Sequence, residues 1–426
     1  MPPRALVIAA PRSGAGKTTL TLALLRALRN RGIRVAGAKS GPDYIDPAFH
    51  AAASGTPAFN LDAWAMDSAS LHARAANMEA ELLLIEGAMG ALDGAGVAGN
   101  GSAADLAATL GLPVLWVQDL RNLAHSAALP AAGFQALRPD IPIAGIILNT
   151  ARSPRHAAMA EAGLASAGLP HVGTVTETSA LHLPDRHLGL VQAAEHPALD
   201  SFLNAAADHI DRCCNLDAIA NAAQPLSPAG APLRLPPLGQ RIAIARDDAF
   251  AFAYPHLLAD WQAQGASLHP FSPLADEGPD TAADAIFLPG GYPELQAGKL
   301  AAAARFRSSM RASTALIYGE CGGYMTLGTG LVDADGTRHQ MLGLLPVETS
   351  FETRRLHLGY RRLRPLSGPF ATPLTAHEFH YATVLSEGDG IALFAAEDAD
   401  GATLPPMGRS VGNVAGSFAH VIGPAG

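Results

Sequence analysis

Short apolar runs alternate with stretches of helical period through the first half of the chain. Residues 5–10, 35–38, 82–85, 114–117 and 143–148 are continuously apolar over strand length and read as buried strands. Residues 18–31, 103–110 and 123–137 carry the 3.6-residue spacing of helices. Strand and helix in regular alternation predict a parallel sheet covered on both faces. Between residues 224 and 239 the pattern lapses, and Pro225, Pro228, Pro232, Pro236 and Pro237 mark a linker. The alternation then restarts, with strands expected at 242–245 and 285–288, a helix at 256–264, and a more β-rich tail from 341 to 422. The expected organisation is an N-terminal domain over 1–223, a linker over 224–239 and a C-terminal domain over 240–426.

Length and composition fit this picture. A chain of 426 residues, 49% of them hydrophobic, makes about two domains with ample core. The formal charge of −9 argues against a general nucleic-acid surface. Three cysteines, two of them adjacent (Cys213, Cys214), give no disulfide framework, so a cytoplasmic location is expected. The N-terminus reads as a strand rather than a signal peptide, and no apolar run is long enough to span a membrane.

Chemistry first enters at Arg12-Ser13-Gly14-Ala15-Gly16-Lys17-Thr18-Thr19, between the first strand and the first helix. That is the context of a phosphate loop, in which backbone N–H groups and a helix N-terminus surround phosphate oxygens. Lys17 is expected on the β- and γ-phosphates of a nucleotide and the Thr18 hydroxyl on Mg²⁺. Pro11 stands where the usual first glycine would be, so the loop is of a deviant kind, and Arg12 is a second candidate phosphate contact. Mg²⁺ requires oxygen ligands. Glu86 ends a buried strand, and Asp46 lies on a loop after another, at the sheet edge where ligand sites open. With Thr18 they are the expected metal ligands. Asp43 and Asp93 are further acids at that edge, each also readable as a turn former. Asn149 ends the strand 143–148 and reads either as a base contact or as a helix cap.

The second chemical signal is Gly319-Glu320-Cys321-Gly322-Gly323, after the apolar run 315–318 and before a helix-like stretch. Small neighbours around a nucleophile at a strand-to-helix turn make an elbow that lifts the side chain into a cleft. Pro289-Gly290-Gly291 ends the preceding strand, and its backbone N–H groups, with that of Gly322, are candidates for an oxyanion hole. His420 is the expected base, with His377 and His380 in competition. Residues 354–364 hold six basic side chains in an acidic chain, five of them arginines. They read as a solvated edge strand, or as a surface where Arg361 and Arg362 meet a polycarboxylate.

The Cys321 elbow, the Pro-Gly-Gly turn and His420 resemble class I glutamine amidotransferase domains, and the N-terminal half resembles the dethiobiotin synthetase-like P-loop group. Their fusion in this order resembles the cobyrinic and hydrogenobyrinic acid a,c-diamide synthases of cobalamin biosynthesis. The strings Gly41-Pro42-Asp43-Tyr44-Ile45-Asp46-Pro47, Asn60-Leu61-Asp62, Ile85-Glu86-Gly87, Ala245-Arg246-Asp247-Asp248-Ala249-Phe250 and His377-Glu378-Phe379-His380-Tyr381 carry that likeness over nearly the whole chain. The resemblance implies an α/β fold of two domains and a carbon–nitrogen ligase. It would amidate corrinoid carboxylates with ATP, Mg²⁺ and glutamine through acyl phosphates. Asp43, Tyr44, Asp46 and Asp93 match positions near the corrinoid carboxylate and the metal. The family covers cobalt-free and cobalt-containing substrates, and hydrogenobyrinic acid is preferred here. Ile422 stands where many class I domains carry a glutamate, so a Cys-His dyad is expected, with the group that orients His420 open. A homodimer is compatible with this reading. The alternatives are a cobyric acid synthase acting on other corrinoid side chains, and a deviant P-loop ATPase switch with an inactive glutaminase domain.

Overall fold

The computed structural model describes residues 1–178, 181, 185–186, 189–190 and 198–426. It divides into two compact units, residues 1–232 and 233–426. In the first, β1 (Arg4–Ala9), β2 (Val35–Ser40), β3 (Phe59–Leu61), β4 (Leu82–Glu86), β5 (Val114–Asp119), β6 (Ile143–Ala151) and β7 (His171–Thr176) form a parallel sheet in the order β3-β2-β4-β1-β5-β6-β7. The short strand Gln224–Pro225 adds to β1 antiparallel, and Leu226 enters this unit's core, so the proline-rich stretch begins inside the first unit.

Strand alternation explains why the strands read as continuously apolar. Ala5, Val7 and Ala9 of β1 point into one core, and Leu6 and Ile8 into another. Helices α3 (Ser68–Ala76), α4 (Ala103–Leu110), α5 (Leu129–Leu137) and α6 (Pro154–Ser166) cover the first face. Helices α1 (Lys17–Asn30), α2 (Asp46–Ser54), α7 (Leu199–Cys213) and α8 (Leu216–Ala222) cover the second. Burial on both faces leaves no polar row to signal a strand edge.

Two local readings change. The helix expected over 123–137 is a 3₁₀ turn, His125–Ala128, followed by α5, because Pro130 favours the first turn of a helix. Residues 43–46, read as a tight loop, lead directly into α2. The Asp43 carboxylate accepts from the N–H groups of Ile45 (2.8 Å) and Asp46 (2.9 Å), and Pro47 sits in the first helical turn.

The second unit has a ten-stranded mixed sheet. Its parallel part runs Ser267–Phe271, Arg241–Ala245, Ala285–Leu288, Leu316–Glu320, Val414–Ser417. Antiparallel strands Thr403–Val411, Ile391–Glu397, His357–Pro365, Leu374–His380 and Ala419–Pro424 complete it. One residue separates Val414–Ser417 from Ala419–Pro424, yet the two take different places in the sheet. The second pairs with Leu374–His380, and its Val421 N–H donates to the Glu320 carboxylate at 3.1 Å. That return carries His420 to the end of the nucleophile strand. The arginine-rich strand His357–Pro365 is hydrogen-bonded on both sides, so it is an interior strand, not an edge.

Candidate functional site

In the first unit the phosphate loop turns between β1 and α1. Gly14 (φ 71°) and Gly16 (φ 94°) adopt the left-handed backbone that glycine takes without steric cost. A Cβ on Gly16 would also collide with the side chain of Asn149, which donates to the Ala15 carbonyl at 2.9 Å. Asn149 therefore braces the loop from the end of β6. Residues 13–19 line a cavity of about 550 Å³ together with Lys39, Glu86, Met89, Arg121, Asn149 and Thr150. Lys17 is buried and donates to the carbonyls of Met89 and Arg12. Burial, helped by the positive charge of Lys39, lowers its ammonium to about 8. Arg12 donates to the Ser13 carbonyl of the loop at 3.1 Å. It pairs with Asp119 at the end of β5, which also holds Arg121 at 2.8 Å, while Arg121 donates to the Gly14 carbonyl at 2.5 Å. Burial opposes the charge on Asp119, but hydrogen bonds from Thr150 and Arg121 outweigh it and keep the carboxylate low.

Glu86 is the hub of the site. One carboxylate oxygen accepts from the Thr18 hydroxyl (2.5 Å) and the Lys39 ammonium (2.7 Å), and the other contacts His50 Nε2 at 2.7 Å. Lys39 also reaches Asp46 at 2.5 Å. The structure thus brings Asp46 and Glu86 together on the Lys39 ammonium, with the Thr18 hydroxyl bonded to Glu86. Burial disfavours every charge there. Lys39 and His50 nonetheless hold Glu86 well below the usual carboxylate range, and Asp46 and Glu86 hold Lys39 well above that of lysine. Asp46 is pushed up by burial and by the like charge of Asp43. Asp93 accepts from the Gly90 N–H (3.0 Å), and its charge is felt at Lys17. Tyr44 is buried on the loop before α2.

In the second unit Leu316–Glu320 runs into the short helix Gly322–Leu327, with Cys321 between them at φ 46°, ψ −104°. A non-glycine residue there is strained, as at other nucleophile elbows. The flanking glycines are required by contact. A Cβ on Gly322 would lie 2.9 Å from Pro293 Cδ and 3.0 Å from Gly291 N, and one on Gly323 would overlap the Leu288 carbonyl. The Gly322 N–H hydrogen-bonds the Cys321 sulfur. The thiol is buried, with Sγ 3.8 Å from the Phe379 carbonyl. Burial raises it far above the ordinary thiol range, and the charges of Glu294, Glu378 and Glu320 add to this.

His420 is fully buried, and its Cε1 edge faces Gly290, where a Cβ would collide with the ring. Gly290 thus makes room for the imidazole, while its carbonyl accepts from Phe252 N–H. The Phe252 backbone favours the charged imidazole, and the ring's Nδ1 lies 4.0 Å from a Glu320 oxygen. Burial and the positive charge of His377 and His380 lower His420 to about 3. Ile422 is core, its carbonyl bonded to His256, so orientation of His420 falls to Phe252, Gly290 and Glu320. Arg361 is held by Glu378 (2.7 Å), whose other oxygen meets His380 (2.9 Å). Arg362 is exposed and projects from the opposite side of that strand.

Sequence reasoning missed Lys39, His50, Asp119, Arg121, Glu294, Glu320 and Glu378 as members of these clusters. Asp119 had a legible signal, since it ends an apolar strand as Glu86 does. Glu320 likewise ends a strand next to Cys321, and Arg121 lies two residues from Asp119; the others are assembled by packing between separate segments.

Comparison with known proteins agrees with this division. Residues 6–191 match the CobQ/CobB/MinD/ParA nucleotide binding domain, and residues 241–424 the CobB/CobQ-like glutamine amidotransferase domain. Hydrogenobyrinate a,c-diamide synthase of a Sinorhizobium species is 55% identical, covering 99% of each chain. The Rhizobium meliloti protein of that name is 53% identical over 98% of each, and the Rhodobacter capsulatus one 51% over 99% of each. With a nucleotide binding domain and a glutamine amidotransferase domain matched in succession and relatives of this name alike over nearly the whole chain, the chain belongs to the hydrogenobyrinate a,c-diamide synthase family.

Proposed function

We propose that the chain amidates the a and c carboxylates of hydrogenobyrinate, using ATP and glutamine. The observation that carries this reading is the pairing of a phosphate loop with a strained, glycine-flanked cysteine in a chain alike over its full length to enzymes of that name. The relatives' substrate favours the cobalt-free corrinoid. A carboxylate resists ammonia because its charge repels nucleophiles and oxide is a poor leaving group. Its oxygen would attack the γ-phosphorus of ATP, forming an acyl phosphate and releasing ADP. Lys17 would follow the charge that moves onto the transferring phosphoryl oxygens. Arg12 would exchange Asp119 for phosphate, and Arg121 hold the loop through Gly14.

Asp46 and Glu86 both set carboxylate oxygens on the Lys39 ammonium and Thr18 donates its hydroxyl to Glu86; all three carry hard oxygen donors, so they fit Mg²⁺. Bound there, Mg²⁺ would neutralise phosphate charge. Lys39 would then shift toward substrate oxygens. Asp43 shapes the loop carrying Tyr44 and Asp46, and Asp93 would face the corrinoid carboxylate. Cys321 would attack the glutamine amide carbon to give a glutamyl thioester and ammonia. His420 would take the thiol proton and give it to the leaving amine, with Gly291 and Gly322 N–H groups on the oxyanion. Water then releases glutamate, and ammonia displaces phosphate from the acyl phosphate to form the amide. No helix among the described residues is long and apolar enough to cross a membrane. A cytoplasmic homodimer is the assembly we infer.

The deciding experiment incubates the protein with ATP, Mg²⁺, glutamine and either hydrogenobyrinate or cobyrinate, and counts amides by mass. Two amides on hydrogenobyrinate are expected. No mass change with either corrinoid would defeat the reading.

A further inference from the structure

Glu378 and His380 stand two residues apart on the strand Leu374–His380, so they share one face of the sheet. On the adjacent strand His357 pairs directly with His380, which makes the three side chains a cross-strand tripod. One ligand atom from each lies within 4.8 Å of the other two. Glu378 and His380 are buried, and His357 is half-buried, which gives the tripod access to solvent. His380 Nδ1 meets the Ala382 carbonyl at 3.1 Å, while Nε2 meets Glu378 Oε1 at 2.9 Å. Both ring nitrogens therefore face acceptors, and a neutral imidazole has one proton to give. With that proton on the carbonyl, the Nε2 lone pair points at a carboxylate, and a positive charge belongs between them. A proton there would join two atoms; a third donor close by suits a metal ion instead. His357 is that donor. Its ring stacks on that of His380, with centroids 4.6 Å apart, and burial with the charge of His380 lowers it, which favours the neutral form that ligates. Arg361 holds the other oxygen of Glu378 at 2.7 Å and leaves Oε1 to the tripod. Outer bonds of this kind, to a carbonyl and to a carboxylate, fix the orientation of ligands in metal sites.

We infer that His357, Glu378 and His380 form a site for a divalent cation of the zinc class, ligated by His380 Nε2, Glu378 Oε1 and one ring nitrogen of His357. Two imidazoles and a carboxylate are donors that Zn²⁺ takes, whereas Mg²⁺ and Ca²⁺ require oxygen. Tetrahedral Zn²⁺ about 2.0–2.1 Å from each donor needs them roughly 3.4 Å apart, so a turn of the half-buried His357 ring completes the set. Three protein ligands leave a fourth position open. Cys321 and His420 take no part, so the site does not depend on the glutaminase reading. It nonetheless adjoins them. Phe379, between the two ligands of one strand, carries the carbonyl 3.8 Å from Cys321 Sγ, and a dication would cancel the Glu378 charge felt at the thiol.

The test titrates the full chain with Zn²⁺ against a chromophoric chelator, with millimolar Mg²⁺ present to occupy the acids of the first unit. The wild-type chain should take up one Zn²⁺, and Cys321→Ser should bind it equally well, because the thiol is not a ligand. His357→Ala and Glu378→Gln should each weaken binding by at least about 100-fold, more than the loss of an outer partner costs. Co²⁺ in place of Zn²⁺ reports the ligands directly. It should show the visible bands of a tetrahedral nitrogen–oxygen site without the near-ultraviolet band of a thiolate ligand, and His357→Ala should lose them. His357 is half-buried, so this variant disturbs packing least, and a melt without added metal checks that it folds. A wild-type chain that takes up no Zn²⁺, a folded His357→Ala chain with unchanged affinity and bands, or loss of the ion in Cys321→Ser would each overturn the inference.

Discussion

Lys39→Met is the most exacting test of the first site. The Lys39 ammonium sits 2.5 Å from Asp46 and 2.7 Å from Glu86, and all three side chains are buried, none more than 8% exposed. Methionine keeps the volume and removes the charge, which leaves two facing carboxylates, with Thr18 and His50 as the side-chain donors to Glu86 among the described residues. Breaking a buried ion pair from one side costs about 3–5 kcal/mol. In a unit of 232 residues each kcal/mol is worth about 2–4 °C, so Tm should fall by roughly 6–20 °C. The deficit depends on pH in a definite direction. Without Lys39 both carboxylates acquire folded-state pKa values above their unfolded ones, so the penalty is full at neutral pH and fades as pH falls toward about 4. Millimolar Mg²⁺ should recover part of the loss, since a cation bound only by the folded state at 100 times its Kd returns about 2.7 kcal/mol. The assay is a thermal melt of the full chain, with peptide-resolved hydrogen exchange assigning the transition to residues 1–232. A fall of less than about 2 °C at pH 7 would refute the placement of Lys39 as the cation that holds this cluster together.

Other perturbations separate the two chemistries. Cys321→Ser should abolish glutamine-dependent amidation yet leave amidation from ammonium salts largely intact, whereas Lys17→Ala should abolish both. Loss of the ammonia-dependent reaction in folded Cys321→Ser would contradict this division of labour. Gly290→Ala places a methyl group against the His420 ring and should lower glutaminase kcat by about 100-fold, as removing a general base does; undiminished kcat would mean that His420 is not the base. Glu320, buried beside His420, is raised to about 8 by burial. A carboxylate raised on folding stabilises below its unfolded pKa, and that stability is lost as pH climbs through the folded value. From pH 7 to 8, above the range where His377 and His420 titrate, it should therefore remove about 1 kcal/mol of stability. Urea unfolding of Glu320→Gln should lack that part of the decline, and an unchanged slope would refute the assignment.

The elements around each nucleotide or thiol signal were legible because their causes are local. The strand at 82–85 is apolar on every residue, so its burial on both faces can be read directly, and the acid that ends it must then lie at the sheet edge. Gly14, Gly16, Gly322 and Gly323 are explained by backbone conformation or by a contact that a Cβ would occupy. The helix α2 was not legible. Its start depends on the Asp43 carboxylate closing a turn onto Ile45 and Asp46, and three consecutive alanines blur its period. The arginine-rich strand misled for a related reason. Exposed Arg362 and Arg364 look like an edge, yet which neighbours a strand pairs with is set by distant chain.

Sequence by itself therefore determined the two architectures, the phosphate loop, the cysteine elbow and the acids at the sheet edge. Each follows from a short run of residues whose sterics admit few conformations. Tertiary structure alone decided the partners. It set the Lys39 ammonium between Asp46 and Glu86, tied Arg12 to Asp119 and Arg361 to Glu378, and brought His420 back beside Glu320. Apart from Lys39 with Asp46, those pairings join segments 17 to 107 residues apart. Their strength comes from burial, and burial is a property of the packed sheet and not of any one stretch of chain.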